Sequence, residues 1–214
     1  MFIGHYAAAL AAKAAQPKAP LWAYVGASQL LDIGWSSLVL AGVEKFRFDP
    51  ALPGSPLDLY HMPYTHSLPA ALIWSGAAGL AARLILKVPG GAAVLIGLTV
   101  FSHWILDFLV HRPDLELWPG QNKVGLAWWN FPTPELILEF TLLALAAVAW
   151  TANRKGEGLK AWPVAALVAF LCAQQLINAL LPGGGSTAGM AMLALVTYLL
   201  TTAAAKLTEL GRRG

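Results

Sequence analysis

The chain has 214 residues, 57% of them hydrophobic and only 12% charged, with a formal net charge of +3. Soluble domains carry about 25% charged residues, so soluble globular, disordered and disulfide-scaffold classes fit poorly, and the one cysteine, Cys172, rules out an intrachain disulfide and a cysteine-only metal site. No basic block could track a phosphate backbone, which sets nucleic acid aside as a partner; the composition is that of an all-α, polytopic membrane helix bundle whose first partner is the lipid bilayer.

The first apolar stretch, residues 1–15, is short and alanine-rich and reads as a partial span or an interfacial helix. Stretches near 21–43, 68–88, 91–111, 134–151 and 162–181 then follow. Each is close to the roughly 20 apolar residues that a bilayer crossing needs. A sixth, near 188–207, completes a single membrane domain of six or seven helices. Pro89-Gly90-Gly91, Arg154-Lys155-Gly156 and Pro182-Gly183-Gly184-Gly185 mark connections. Two longer connections cover 44–66 and 112–133. No stretch sustains a period of two, so strands are not expected.

The charges divide into two sets. Lys13, Lys18, Arg83, Lys87, Arg154, Lys155, Lys160, Lys206, Arg212 and Arg213 face only Glu157 and Glu209. Lys45, Arg47, Arg112 and Lys123 share the other side with Glu44, Asp49, Asp58, Asp114, Glu116 and Glu135. The positive-inside rule makes the first side cytoplasmic and turns both long connections outward.

Asp32, Asp107 and Glu139 remain inside predicted spans. An acid at mid-membrane costs at least about 2.5–3.5 kcal/mol, so each is a functional candidate. His103, Asp107 and His111 follow one another at intervals of four residues, which puts them within about 80° of one helix face. His103 and Asp107 can share one metal ion, and Asp107 and His111 another. His61 and His66 flank the entry to the 68–88 stretch, at the same end as His111. His5 reaches that end if its segment enters from outside. Arg112 is a candidate clamp for a phosphate or carboxylate. Glu139 lies one turn deeper than the helix-start acid Glu135, where capping does not account for it. Trp118, Trp128 and Trp129 read as interfacial belt residues.

The Gly4-His5 pair, Leu31-Asp32, Tyr64-Thr65-His66-Ser67-Leu68 and Ser102-His103-Trp104-Ile105-Leu106-Asp107 together resemble the bacterial membrane-bound metal-dependent hydrolase family, also described as LexA-binding, inner-membrane-associated hydrolases. The likeness continues through His111-Arg112-Pro113-Asp114-Leu115, Gly125-Leu126-Ala127-Trp128-Trp129-Asn130 and Glu139. It covers residues 1–150, whereas 151–214 carry no matching motif. That family is similar in motif order to the zinc-dependent phospholipase C and P1 nuclease group. The resemblance implies His66, His103, Asp107, Asp32 and His5 as ligands, and a bacterial inner-membrane location.

Together these readings give an expected site of one to three divalent ions, zinc favoured, toward the extracytoplasmic face. His66, His103, Asp107, His111, Asp32, His61 and His5 are its candidate ligands. Asp32, Glu139 and Arg112 are the candidate catalytic groups. The expected chemistry is hydrolysis of a phosphoester in a lipid-like substrate by metal-activated water. A metal-ion transporter using the same residues, or a metal-binding membrane protein without catalysis, is the alternative.

Overall fold

The computed structural model describes residues 1–180 and 186–209. Pro182-Gly183-Gly184-Gly185 and the basic residues Arg212 and Arg213 lie outside the described residues. Eight α-helices carry the described fold: α1 (Ile3–Ala15), α2 (Leu21–Ser28), α3 (Leu30–Leu40), α4 (Leu68–Leu84), α5 (Gly90–Val110), α6 (Pro132–Gly156), α7 (Trp162–Leu180) and α8 (Thr187–Leu207). By length and composition α5, α6, α7 and α8 are able to cross a membrane. Their outward faces are apolar: Leu145, Val148 and Leu193 are each more than 60% exposed. Such a surface suits lipid and would be a liability in water.

The alanine-rich first segment is not a peripheral helix. Ile3, Tyr6, Ala9 and Leu10 of α1 are fully buried, and α1 packs against α2, α5 and α6. Small side chains allow neighbours to close in around it, and a helix that is apolar all round belongs inside. The predicted 21–43 span is also corrected. It breaks at Gln29 (φ −114°, ψ 10°) into α2 and α3. The helix expected over 134–151 runs instead from Pro132 to Gly156, so Arg154-Lys155-Gly156 forms its last turn.

The two long connections fold into antiparallel hairpins that the sequence did not suggest. Strands β1 (Lys45–Phe48) and β2 (Leu57–His61) form one, and β3 (Leu115–Trp118) and β4 (Gln121–Val124) the other. Strands this short leave too few residues for a period-two pattern to register.

Helices α4 and α5 cross closely because glycines meet there. A Cβ on Gly97 would sit 2.9 Å from the Ser75 carbonyl oxygen, next to the backbone of Gly79. Small residues at such crossings let membrane helices approach to van der Waals distance. The crossing fixes α5 against the segment that leads into α4.

At the opposite end from the hairpins, Lys13 is buried rather than solvated. Its Nζ lies 2.6 Å from Glu209 Oε1 and donates to the carbonyls of Pro17 and Ala19. The other Glu209 oxygen accepts the Leu21 N–H, so one carboxylate ties α1 and the start of α2 to the chain just past α8.

Candidate functional site

Three helices and one loop bring their ionisable residues together below the hairpins. Helix α5 supplies His103 and Asp107 one turn apart, with His103 Nε2 3.1 Å from Asp107 Oδ2. Helix α1 supplies His5, whose Nε2 lies 3.1 Å from Asp107 Oδ1. Helix α3 supplies Asp32, with Oδ1 3.4 Å from His66 Nε2 and 3.5 Å from His103 Nε2. His66 comes from the loop before α4 and stands 3.5 Å from Asp107 Oδ2. His111, the C-cap of α5, turns Nε2 to Asp107 Oδ1 at 3.5 Å. All of these are buried except Asp32, which is 17% exposed.

Two sets of ligand atoms converge within 4.8 Å: His5, His103 and Asp107, and Asp32, His66 and His103. Asp107 reaches in two directions, with Oδ1 toward His5 and His111 and Oδ2 toward His66 and His103.

The outer nitrogens of three of these rings are fixed by partners of different kinds. His103 Nδ1 meets the Ser28 carbonyl at 2.7 Å. His66 Nδ1 meets the Thr65 hydroxyl at 2.8 Å, and His111 Nδ1 meets Asp114 at 2.8 Å. The Trp104 indole N–H donates to the His66 carbonyl, which anchors the loop to α5. Ser67 caps α4 by accepting from the Ala70 N–H.

The loop over α5 is locked by backbone. The N–H groups of Leu126 and Ala127 donate to the Phe108 and His111 carbonyls, satisfying the helix end. Gly125 (φ +155°) has no room for a side chain, because a Cβ would collide with the His111 and Arg112 carbonyls. This seats Trp129 on His111, with ring centroids 4.1 Å apart. Trp129 is therefore buried at the site and is not a belt residue.

Outside the membrane spans, burial pushes the Glu44 carboxyl up from its ordinary value, against three hydrogen bonds that favour the charged form. Burial alone would lower His111, but the carboxylates of Asp107 and Asp114 outweigh it and hold the imidazole above its usual range.

Three predicted site residues are placed elsewhere. His61 ends β2 opposite Lys45 and belongs to neither set of converging ligand atoms. Arg112 donates through Nη2 to the Pro53 and Ser55 carbonyls and lies 5.7 Å from the Trp129 ring, so it tethers a loop rather than facing the carboxylates. Glu139 Oε2 accepts the Phe2 and Gly4 N–H groups at 2.9 and 2.7 Å. It holds the start of α1, where unsatisfied N–H groups attract an acid.

A cavity of about 90 Å³ opens on the cluster, lined by Asp32, His66, Asp107 and His111, with Trp35, Leu59, Met62 and Trp129 as apolar walls. Tyr198 of α8 also lines it. Nothing in the sequence singled out Tyr198, because one tyrosine in an apolar span has no spacing to mark it.

Comparison with known proteins adds the family. No curated protein and no solved structure matches the chain. A family model described as YdjM inner membrane protein matches residues 1–181. That stretch contains every histidine and carboxylate of the cluster, while α8 lies beyond it. With most of the chain matched and an apolar helical bundle to accompany the match, this chain belongs to the YdjM inner membrane protein family.

Proposed function

We propose that this protein is a multi-pass, metal-dependent hydrolase of the inner membrane that cleaves a phosphoester in a lipid or amphiphilic substrate. One observation carries the reading. The Ser28 carbonyl can only accept, so His103 Nδ1 carries the ring proton. In the neutral, metal-binding form of the ring, Nε2 then presents a lone pair to Asp107 and Asp32, at 3.1 and 3.5 Å. A lone pair facing two carboxylates in a buried site calls for a positive charge between them. Imidazole and carboxylate donors in this number suit a divalent ion, with zinc first in line.

The residues fit that ion as two groups. His5, His103 and Asp107 would hold one position and Asp32, His66 and His103 the other, so these donors make at most two positions, which share the one free nitrogen of His103. His111 stands beside the first position and orients Asp107. A divalent ion there supplies Lewis-acid activation of water for attack on phosphorus.

The chain itself does the rest. Asp107 keeps its two oxygens aimed in different directions, and Asp32, the one partly exposed acid, stands at the cavity edge and is the candidate to take a proton from the attacking water. Trp35, Leu59, Met62 and Trp129 keep bulk water out and offer an apolar wall to an amphiphile. The sided charge distribution supports an orientation with this cavity toward the extracytoplasmic face.

The test is hydrolysis of phosphodiester and phospholipid substrates by detergent-purified protein, with and without a chelator. Chelator-sensitive turnover that Asp32→Asn abolishes is the expected result. Uptake of labelled zinc into proteoliposomes without hydrolysis would replace this reading with a transporter.

A further inference from the structure

Glu44 carries a role that its sequence position conceals. It lies between α3 and β1, in a connection expected to be solvated, yet it is 1% exposed. Its Oε1 accepts the Tyr64 and Thr65 N–H groups at 2.8 and 3.0 Å, and its Oε2 accepts the Thr65 hydroxyl at 2.7 Å. The same hydroxyl oxygen lies 2.8 Å from His66 Nδ1. A threonine hydroxyl has one proton. An ionised Glu44 takes that proton, so the hydroxyl oxygen is left to accept, and His66 Nδ1 is the donor.

We infer that Glu44, acting through Thr65, is a positioning residue that fixes the proton of His66 on Nδ1 and turns an unprotonated Nε2 toward Asp32 and Asp107. This rests on the reading that the cluster holds a cation. It extends that reading from the ligands to the pair that sets one ligand's tautomer, as outer partners of metal-bound histidines do. The Ser28 carbonyl performs the same office for His103 with backbone alone. His66 sits in a loop, and its Nδ1 meets the Thr65 hydroxyl where His103 meets a backbone carbonyl, so a side-chain relay does the work.

The relay makes opposite demands on two conservative variants. In Glu44→Gln, the amide oxygen can keep both backbone N–H groups while its NH2 faces Thr65. The hydroxyl then donates to His66 Nδ1 and drives the proton to Nε2. Thr65→Val removes the hydroxyl with little change of shape, and Thr65→Ser restores it.

The experiment is 15N NMR of histidine-labelled, metal-free protein in micelles at mildly alkaline pH, with His66 assigned by its absence in His66→Gln, followed by zinc titration. The expected result is an Nδ1–H tautomer for His66 in the parent protein and in Thr65→Ser, and a shift toward Nε2–H in Glu44→Gln. Zinc affinity falls about 10–100-fold in Thr65→Val and Glu44→Gln and returns in Thr65→Ser. An Nε2–H tautomer in the parent protein, or unchanged zinc affinity in both weakened variants, overturns the inference. If the parent protein has the Nδ1–H tautomer but binds no zinc, the relay stands as built and the metal reading is what fails.

Discussion

His5 and His103 lie face to face, with ring centroids 3.7 Å apart and planes inclined by 4°. Two imidazolium rings in that arrangement would repel by about 4 kcal/mol even at an effective dielectric of 20. The stack therefore disfavours two charged rings and leaves at least one in the neutral form that binds a metal. His5→Phe keeps a ring on this face and removes both nitrogens. Its helical circular dichroism is expected to match the parent protein, while zinc affinity drops by more than the roughly 10–100-fold typical of losing an outer partner. Unchanged affinity by competition titration would remove His5 from the ligand set.

The α4–α5 crossing is expected to be intolerant at one glycine and tolerant at another. Gly97→Ala puts a methyl group 2.9 Å from the Ser75 carbonyl oxygen, whereas a Cβ on Gly76 meets nothing within 4 Å. Overpacking of this kind costs about 1–3 kcal/mol. A thermal scan in detergent checks it: Gly97→Ala lowers the midpoint and Gly76→Ala leaves it in place. Equal midpoints would mean the helices separate at no cost.

Lys13, fully buried, pairs with the partly buried Glu209 at the end of the bundle away from the site. Removing the lysine takes the nearest cation from a carboxylate that keeps the Leu21 N–H, at a cost below the roughly 3–5 kcal/mol of breaking a fully buried pair. Lys13→Met is expected to lower the unfolding midpoint sharply, and Lys13→Met with Glu209→Leu to recover part of the loss. A midpoint unmoved by Lys13→Met would show that the pair contributes little.

Glu139 should act on binding through α1 alone. Charge-assisted hydrogen bonds are worth about 1.5–3 kcal/mol each, and Glu139 accepts two from the start of α1. Glu139→Ala is expected to destabilise the protein and weaken zinc binding through His5, with little further loss when combined with His5→Phe. Fully additive losses of affinity would mean that Glu139 acts on the site by another route.

Much of this site was legible in the sequence where local geometry sets it. The four-residue steps among His103, Asp107 and His111 fix one helix face without reference to anything else. The convergence of His5, Asp32 and His66 on that face depends on how distant helices pack, which spacing alone does not encode; the motif resemblance supplied it. The rule that an acid in a membrane span marks function singled out both Asp107, which stands among the histidines, and Glu139, whose partners are backbone N–H groups. Arg112 meets carbonyl oxygens, which a guanidinium serves as readily as phosphate. Glu44 was missed because a count of loop charges assumes solvation. The break at Gln29 has only Gly26, in the last turn of α2, to announce it, yet the Ser28 carbonyl beside it orients His103.

Whether the cluster around Asp107 holds a divalent cation is read by anomalous diffraction at the zinc edge, on crystals of protein purified without chelator. A peak is expected within bonding distance of His103 Nε2, Asp107 and His66, absent from Asp107→Ala crystals. A map without a peak in zinc-supplemented crystals, with His103, His66 and Asp107 still in direct contact, would contradict a bound cation there.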